Sequence, residues 1–291
     1  MQLIRPFTLL APLIVSMSIM IASYFYYGYS LDIFPSLLFI ILPAGCSLTF
    51  LNAASNALNQ ATDVQADIIS KPYRPIPKGM ISVHEGMMVA LLFYFASMII
   101  ASLINTTFFI FVLLITFFTI TYSTAPRMKD RLWWNQIWIA LPRGLLGILA
   151  SWSVFGTVSQ PLPIVIATIA FLFLFGGSIT KDVSDKDADL AYGTKTLVNT
   201  YGEKKAALIA LPFLFFPFLL LPFCINMGLV DSSFWFLTFL AIPGFYVFIL
   251  MYTGDTSNNV FENTGAWSAM YLTYFMFSSC FALITVLSVV S

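Results

Sequence analysis

The sequence predicts an all-α, polytopic membrane protein, and three observations predict it. Of its 291 residues 59% are hydrophobic and only 9% charged, with a mean hydropathy of +0.90, more apolar surface than a water-soluble domain of this length can hide. The apolar residues come in runs of about 20, the length that crosses a ~30 Å hydrocarbon core at ~1.5 Å per residue. Apart from Arg143, lysine and arginine recur only between alternate runs.

In chain order the runs lie at about 7–28, 35–57, 84–102, 107–124, 132–156, 161–180, 206–229, 233–252 and 267–290, giving nine expected transmembrane helices around a central cavity. The fifth carries more polar residues than its neighbours, and the seventh contains Pro212, Pro217 and Pro222, each able to kink a helix. Met1 to Arg5 is too short and too weakly charged for the leading segment of a cleavable signal, so the first run is expected to remain as a span. Cys46, Cys224 and Cys280 are isolated within apolar runs and read as packing residues rather than metal or redox ligands.

Charge orients the bundle. Arg5, then Lys71, Arg74 and Lys78, then Arg127, Lys129 and Arg131, then Lys181, Lys186, Lys195, Lys204 and Lys205 all fall on one side of the nine-helix arrangement, and the opposite loops contain no basic residue. By the positive-inside rule the N-terminus and the basic loops are expected in the cytoplasm and the C-terminus outside, as in a multi-pass protein of a prokaryotic plasma membrane. The net charge is zero, which excludes the general basic footprint of a nucleic-acid partner.

The acidic residues are concentrated. Asp63 and Asp67 in NQATDVQAD, with Asp182, Asp185, Asp187 and Asp189 in KDVSDKDAD, make six of the thirteen, and each segment follows a long apolar run. Asn59, Asp63 and Asp67 repeat at i, i+4, i+8 and Asp182, Asp185 and Asp189 at i, i+3, i+7, so each set is expected along one helix face. The two segments follow the second and sixth spans, four helices apart, and therefore emerge on the same side. This predicts a single membrane-embedded domain, 1–291, with pseudo-repeat halves of about 1–130 and 131–265 and an added ninth helix. Asn52, Asn56, Asn59 and Asp63 also form a polar stripe up the second helix, suited to the wall of a polar cavity or to interhelical hydrogen bonds.

Oxygen ligands in two incomplete clusters suit Mg²⁺, which prefers one or two carboxylates completed by water and substrate phosphate. Lys71, Arg74, Lys129 and Lys181 stand beside the clusters and supply charge-assisted donors for phosphate oxygens. Carboxylates, cations and a membrane cavity together describe a substrate with a diphosphate head and an apolar tail. Loss of diphosphate is its natural reaction, and aromatic side chains can shield the resulting cation.

At these residues the chain resembles the UbiA-type intramembrane prenyltransferases. Asn59-x3-Asp63-x3-Asp67 followed by Lys71-Pro72-x-Arg74-Pro75-Ile76-Pro77-x-Gly79 is similar to their first aspartate motif, and Lys181-Asp182-x2-Asp185-x3-Asp189-x3-Gly193-x2-Thr196-Leu197 to their second. Tyr122, Ser123, Pro126 and Lys129 resemble the loop between them. The chain departs from the usual pattern at Gln60, Ala188 and Val198, none of them an expected ligand. The resemblance implies magnesium-dependent transfer of a polyprenyl group from a polyprenyl diphosphate, such as geranylgeranyl diphosphate, to a lipophilic acceptor. It further implies Asn59, Asp63, Asp67, Asp182, Asp185 and Asp189 around the metal, Lys71, Arg74, Lys129 and Lys181 on the diphosphate, and Tyr122 near the reacting carbon. The acceptor stays open between an ether-lipid glycerophosphate and an aromatic quinone precursor.

Arg143 lies about eleven residues into the fifth run, a depth at which arginine is costly and therefore expected to act, here on the acceptor or a phosphate at the cavity floor. The rival class is a transporter with a cation-coordinating polar cavity. A carrier would place its acidic site near the midplane, whereas these carboxylates lie at helix ends among basic residues.

Overall fold

The computed structural model describes residues 2–29, 32–254 and 264–290, and the described residues contain helices and no strand. Helix α1 runs over Pro6–Tyr26, α2 over Ile33–Thr62, α3 over Val83–Ile104 and α4 over Thr106–Ser123. After these come α5 at 134–152, α6 over Pro161–Ser184, α7 over Glu203–Asn226, α8 over Ser232–Thr253 and α9 over Gly265–Val290. Among the described residues eight helices are long and apolar enough to cross a membrane. The exception among the nine expected is α5, which forms as three consecutive pieces, Trp134–Ala140, a π-helical turn Leu141–Leu146 and Gly147–Trp152.

Sequence chemistry sets the helix limits. Ser82 caps α3 through a reciprocal box with Glu85, and Asn105 ends α3 while its side chain accepts from Phe108 N at 2.8 Å to start α4. The three prolines of α7 leave it one continuous helix. Most of the polar stretch 253–265 lies outside the described residues.

Packing divides the core in two. One cluster joins α2, α3 and α4 through residues such as Leu51, Ala57, Tyr94 and Phe108, and the other joins α5 to α9 through Trp152, Ile166, Phe173, Phe218 and Phe277. Helix α1 serves both, with Met20 in the first cluster and Val15, Ile19 and Ala22 in the second. Gly144 fixes the closest approach of α5 to α6, because a Cβ there would lie 2.6 Å from the Phe171 backbone. That glycine therefore makes room for a helix, while Gly147, one turn on, lines the cavity.

Between the clusters lies a cavity walled by α1, α2, α4, α5, α6 and α9. Helices α3, α7 and α8 contribute no lining residue and support the wall from outside.

Candidate active site

The polar stripe of α2 reaches the cavity. Asn52, Asn56 and Asn59 all line it, and the first two also tie down the start of α1: Asn52 Nδ2 donates to Thr8 O at 3.1 Å, and Asn56 Nδ2 to Ile4 O at 2.9 Å and Thr8 Oγ1 at 2.8 Å. One stripe thus does both things expected of it, since the carboxamides face a polar space and anchor a neighbouring helix.

Neither aspartate motif is one uninterrupted helix face. The helix breaks at Asp63, with φ −110°, before the short helix Val64–Ser70. It breaks again at Asp185, with φ −99°, before Lys186–Ala191. Asp63 and Asp185, at the breaks, both meet cations. Asp63 accepts from Lys129 and, at 3.2 Å, from Arg127, and Lys129 also donates to Asn59 Oδ1 at 3.1 Å. Asp185 pairs with Lys71 of the first motif and, at 3.1 Å, with Lys181 of its own. Burial works against its charge, but the two lysines outweigh that and hold the Asp185 carboxyl well below the usual range. Asp189 is pushed up to about 6, chiefly by burial, with Lys181 opposing and the Asp185 charge adding to the rise.

Three of the expected site residues meet protein partners in this structure. Asp67 and Arg74 close on each other, with Nη1 donating to both carboxylate oxygens at 2.9 and 2.8 Å, and neither lines the cavity. The turn after Ser70 brings Arg74 back over the short helix, so the two form a buried ion pair. Asp182 is fully buried, and its oxygens accept from Asn135 Nδ2 at 3.1 and 3.3 Å and from Gln136 Nε2 at 2.8 Å.

Tyr122 lines the cavity, and its hydroxyl donates to Asn135 Oδ1 at 3.1 Å. Arg143 also lines it, on the π-helical turn of α5, with Nη1 donating to the Tyr271 hydroxyl at 3.1 Å. The Tyr274 hydroxyl donates to the Arg143 carbonyl at 2.9 Å, fixing the backbone that presents the guanidinium. Sequence reasoning missed Asn135, Gln136, Tyr271 and Tyr274. The adjacent carboxamides at the start of an otherwise apolar run were the available signal for the first two.

The donors beside the cavity, Asn59, Asp63, Asp185 and Asp189, are all oxygens, as a hard divalent cation requires. Among the described residues no three acidic, histidine or cysteine side chains are grouped closely enough to hold an ion by themselves. Mg²⁺ takes few protein ligands and completes its shell with phosphate and water.

A bundle of apolar helices around a cavity that is charged at one end defines an integral membrane protein with a candidate site for an amphiphilic anion. The chain matches the UbiA prenyltransferase family over residues 14–269 and belongs to that family. It is 32% identical over 198 residues to a digeranylgeranylglyceryl phosphate synthase of Pyrococcus horikoshii, a match covering 66% of each chain. To the synthase of the same name from Pyrococcus furiosus it is 30% identical over 205 residues, 67% of each. Among solved structures, a UbiA homologue of Archaeoglobus fulgidus bound to GPP and Mg²⁺ superposes with TM-score 0.71 at 20% identity, covering 100% of this chain and 99% of that one. A UbiA homologue of Aeropyrum pernix K1 reaches TM-score 0.71 at 14% identity, covering 95% of this chain and 97% of that one. These likenesses establish the shared fold.

Proposed function

We propose that this protein transfers a polyprenyl group from a polyprenyl diphosphate to a lipophilic acceptor within the membrane and releases diphosphate. The observation that carries the reading is the composition of one continuous cavity. Asn59, Lys71, Lys181 and Asp185 line it at the ends of α2 and α6, and Leu48, Trp138, Leu174 and Met270 line it deeper in the bundle. Only a molecule with an anionic head and a long apolar body uses both parts.

Lys71, Lys129 and Lys181 hold the diphosphate by charge-assisted hydrogen bonds. Asn59, Asp63, Asp185 and Asp189 would hold Mg²⁺, which when bound neutralises charge on the departing diphosphate. Tyr122 stands near the reacting carbon, and Arg143 meets the acceptor deeper in the cavity. The surrounding helices exclude water, which would otherwise capture a prenyl cation. The names of the Pyrococcus relatives favour an ether-lipid glycerophosphate as acceptor over an aromatic quinone precursor. The basic loops support a topology with the charged end of the cavity facing the cytoplasm, in a prokaryotic plasma membrane.

The test is turnover of purified protein with geranylgeranyl diphosphate, Mg²⁺ and either geranylgeranylglyceryl phosphate or 4-hydroxybenzoate, followed by mass spectrometry. A doubly prenylated glycerophosphate is expected. No prenylated product with either acceptor would overturn the reading.

A further inference from the structure

Asp182 sits beside the candidate metal ligands, yet it faces two carboxamides in a fully buried pocket. Both Asp182 oxygens accept from carboxamide nitrogens, and a carboxamide donates from nitrogen and accepts at oxygen. Asp182 therefore decides the orientation of Asn135: Nδ2 must turn to the carboxylate, which leaves Oδ1 facing the other way. There Oδ1 takes the proton of the Tyr122 hydroxyl. A phenol has one proton, so once it is committed to Asn135 the Tyr122 oxygen has only lone pairs for any other neighbour.

We infer that Asp182 and Asn135 are positioning residues that hold Tyr122 as a hydrogen-bond acceptor toward the cavity. The inference rests on the prenyl-transfer reading for its purpose. An oxygen that accepts but does not donate favours positive charge developing on the prenyl carbon and offers nothing to the diphosphate oxygens. It therefore stabilises the separated charges of the transition state more than the ground state. Gln136, donating to the same carboxylate from the next position, keeps Asp182 from turning toward the cavity. The chain crosses three elements, α4, α5 and α6, and so couples the reacting end of the cavity to the packing of its wall.

Asp182→Asn keeps the size of the side chain but gives it a donor, which allows Asn135 to turn over and removes the acceptor for the Tyr122 proton. The expected result is a fall in kcat of about tenfold or more, with KM for geranylgeranyl diphosphate and the Mg²⁺ concentration for half-activity unchanged. Tyr122→Phe should lower kcat similarly, and the double variant should be no slower than the slower single one, because both act through one oxygen. A large rise in the Mg²⁺ requirement of Asp182→Asn would overturn the inference in favour of a direct ligand. So would additive losses in the double variant. If Asp182→Asn does not accumulate folded, Asn135→Ser replaces it in the same cycle. Thermal unfolding of the same singles and double reads the hydrogen-bond chain without turnover, and an absence of coupling there overturns the inference even if the wild-type protein transfers no prenyl group. Wild-type inactivity together with clear coupling would instead overturn only the prenyl-transfer reading.

Discussion

Lys71, on the turn that follows the first aspartate motif, forms an ion pair with Asp185, at the helix break of the second. The pair spans 114 residues of sequence and joins segments that approach from opposite sides of the cavity mouth. Both side chains are nearly buried, so the attraction is little screened by solvent or salt. Lys129 and Asp63 form a second lysine–carboxylate pair, and Lys129 also reaches Asn59 of the cavity wall. Each cluster thus carries its own cations, and a diphosphate with its metal would meet lysine and carboxylate together.

Removal of either central carboxylate should abolish most turnover. Asp63→Ala and Asp185→Ala are each expected to lose at least about a hundredfold in kcat/KM, equivalent to ~3 kcal/mol of transition-state stabilisation. Chelation of divalent cations should silence the wild type, and added Mg²⁺ should restore it. Near-normal rates in either variant, with the protein folded in the membrane, would defeat the two-cluster site.

The Asp67–Arg74 pair should act on stability rather than on the metal. Arg74→Ala leaves a buried carboxylate without its cation, a change that costs about 3–5 kcal/mol in comparable pairs, and burial already pushes the Asp67 carboxyl up against the pull of Arg74. Thermal unfolding in detergent should show a large loss for either single alanine variant and a smaller additional loss for the double. An altered Mg²⁺ dependence in Asp67→Asn, with stability unchanged, would return Asp67 to the metal site.

Much of this was legible because membrane helices announce themselves by length and apolarity, and eight of the nine expected runs meet those criteria in the described residues. The fifth was harder for the same reason: Asn135, Gln136, Pro142 and Arg143 lower its apolarity, and they are the residues that face polar partners or the cavity. The helix breaks at Asp63 and Asp185 were invisible because a periodic spacing survives in sequence when the helix beneath it turns. The partners of Asp182 were not legible because they lie 46 and 47 residues away. The pairing of Arg74 with Asp67 was not legible because only the turn after Ser70 folds one onto the other.

Both charged loops should face the cytoplasm. Lys78 and Lys195 are exposed, one in each loop, so single cysteines placed there should remain accessible. In a background lacking Cys46, Cys224 and Cys280, an impermeant thiol reagent is expected to label both positions only from the cytoplasmic side. Labelling from opposite faces would break the topology and the shared site together.

Arg143 should set affinity for the acceptor. Its guanidinium is exposed within the cavity wall, and the partner found for it is a neutral phenol, Tyr271; no ion pair joins it to a carboxylate among the described residues. A cation kept this deep gains most from an anionic ligand, because the low local dielectric that makes its burial costly also strengthens attraction to an opposite charge. Arg143→Met keeps the length of the side chain and removes the charge, and the Tyr274 bond to the backbone carbonyl of residue 143 does not depend on the side chain. Folded protein is therefore expected, with KM for an anionic acceptor raised about tenfold or more, or ~1.4 kcal/mol, and KM for the prenyl diphosphate little changed. An equal loss for both substrates would place Arg143 at the diphosphate instead, and unchanged kinetics would remove it from the site.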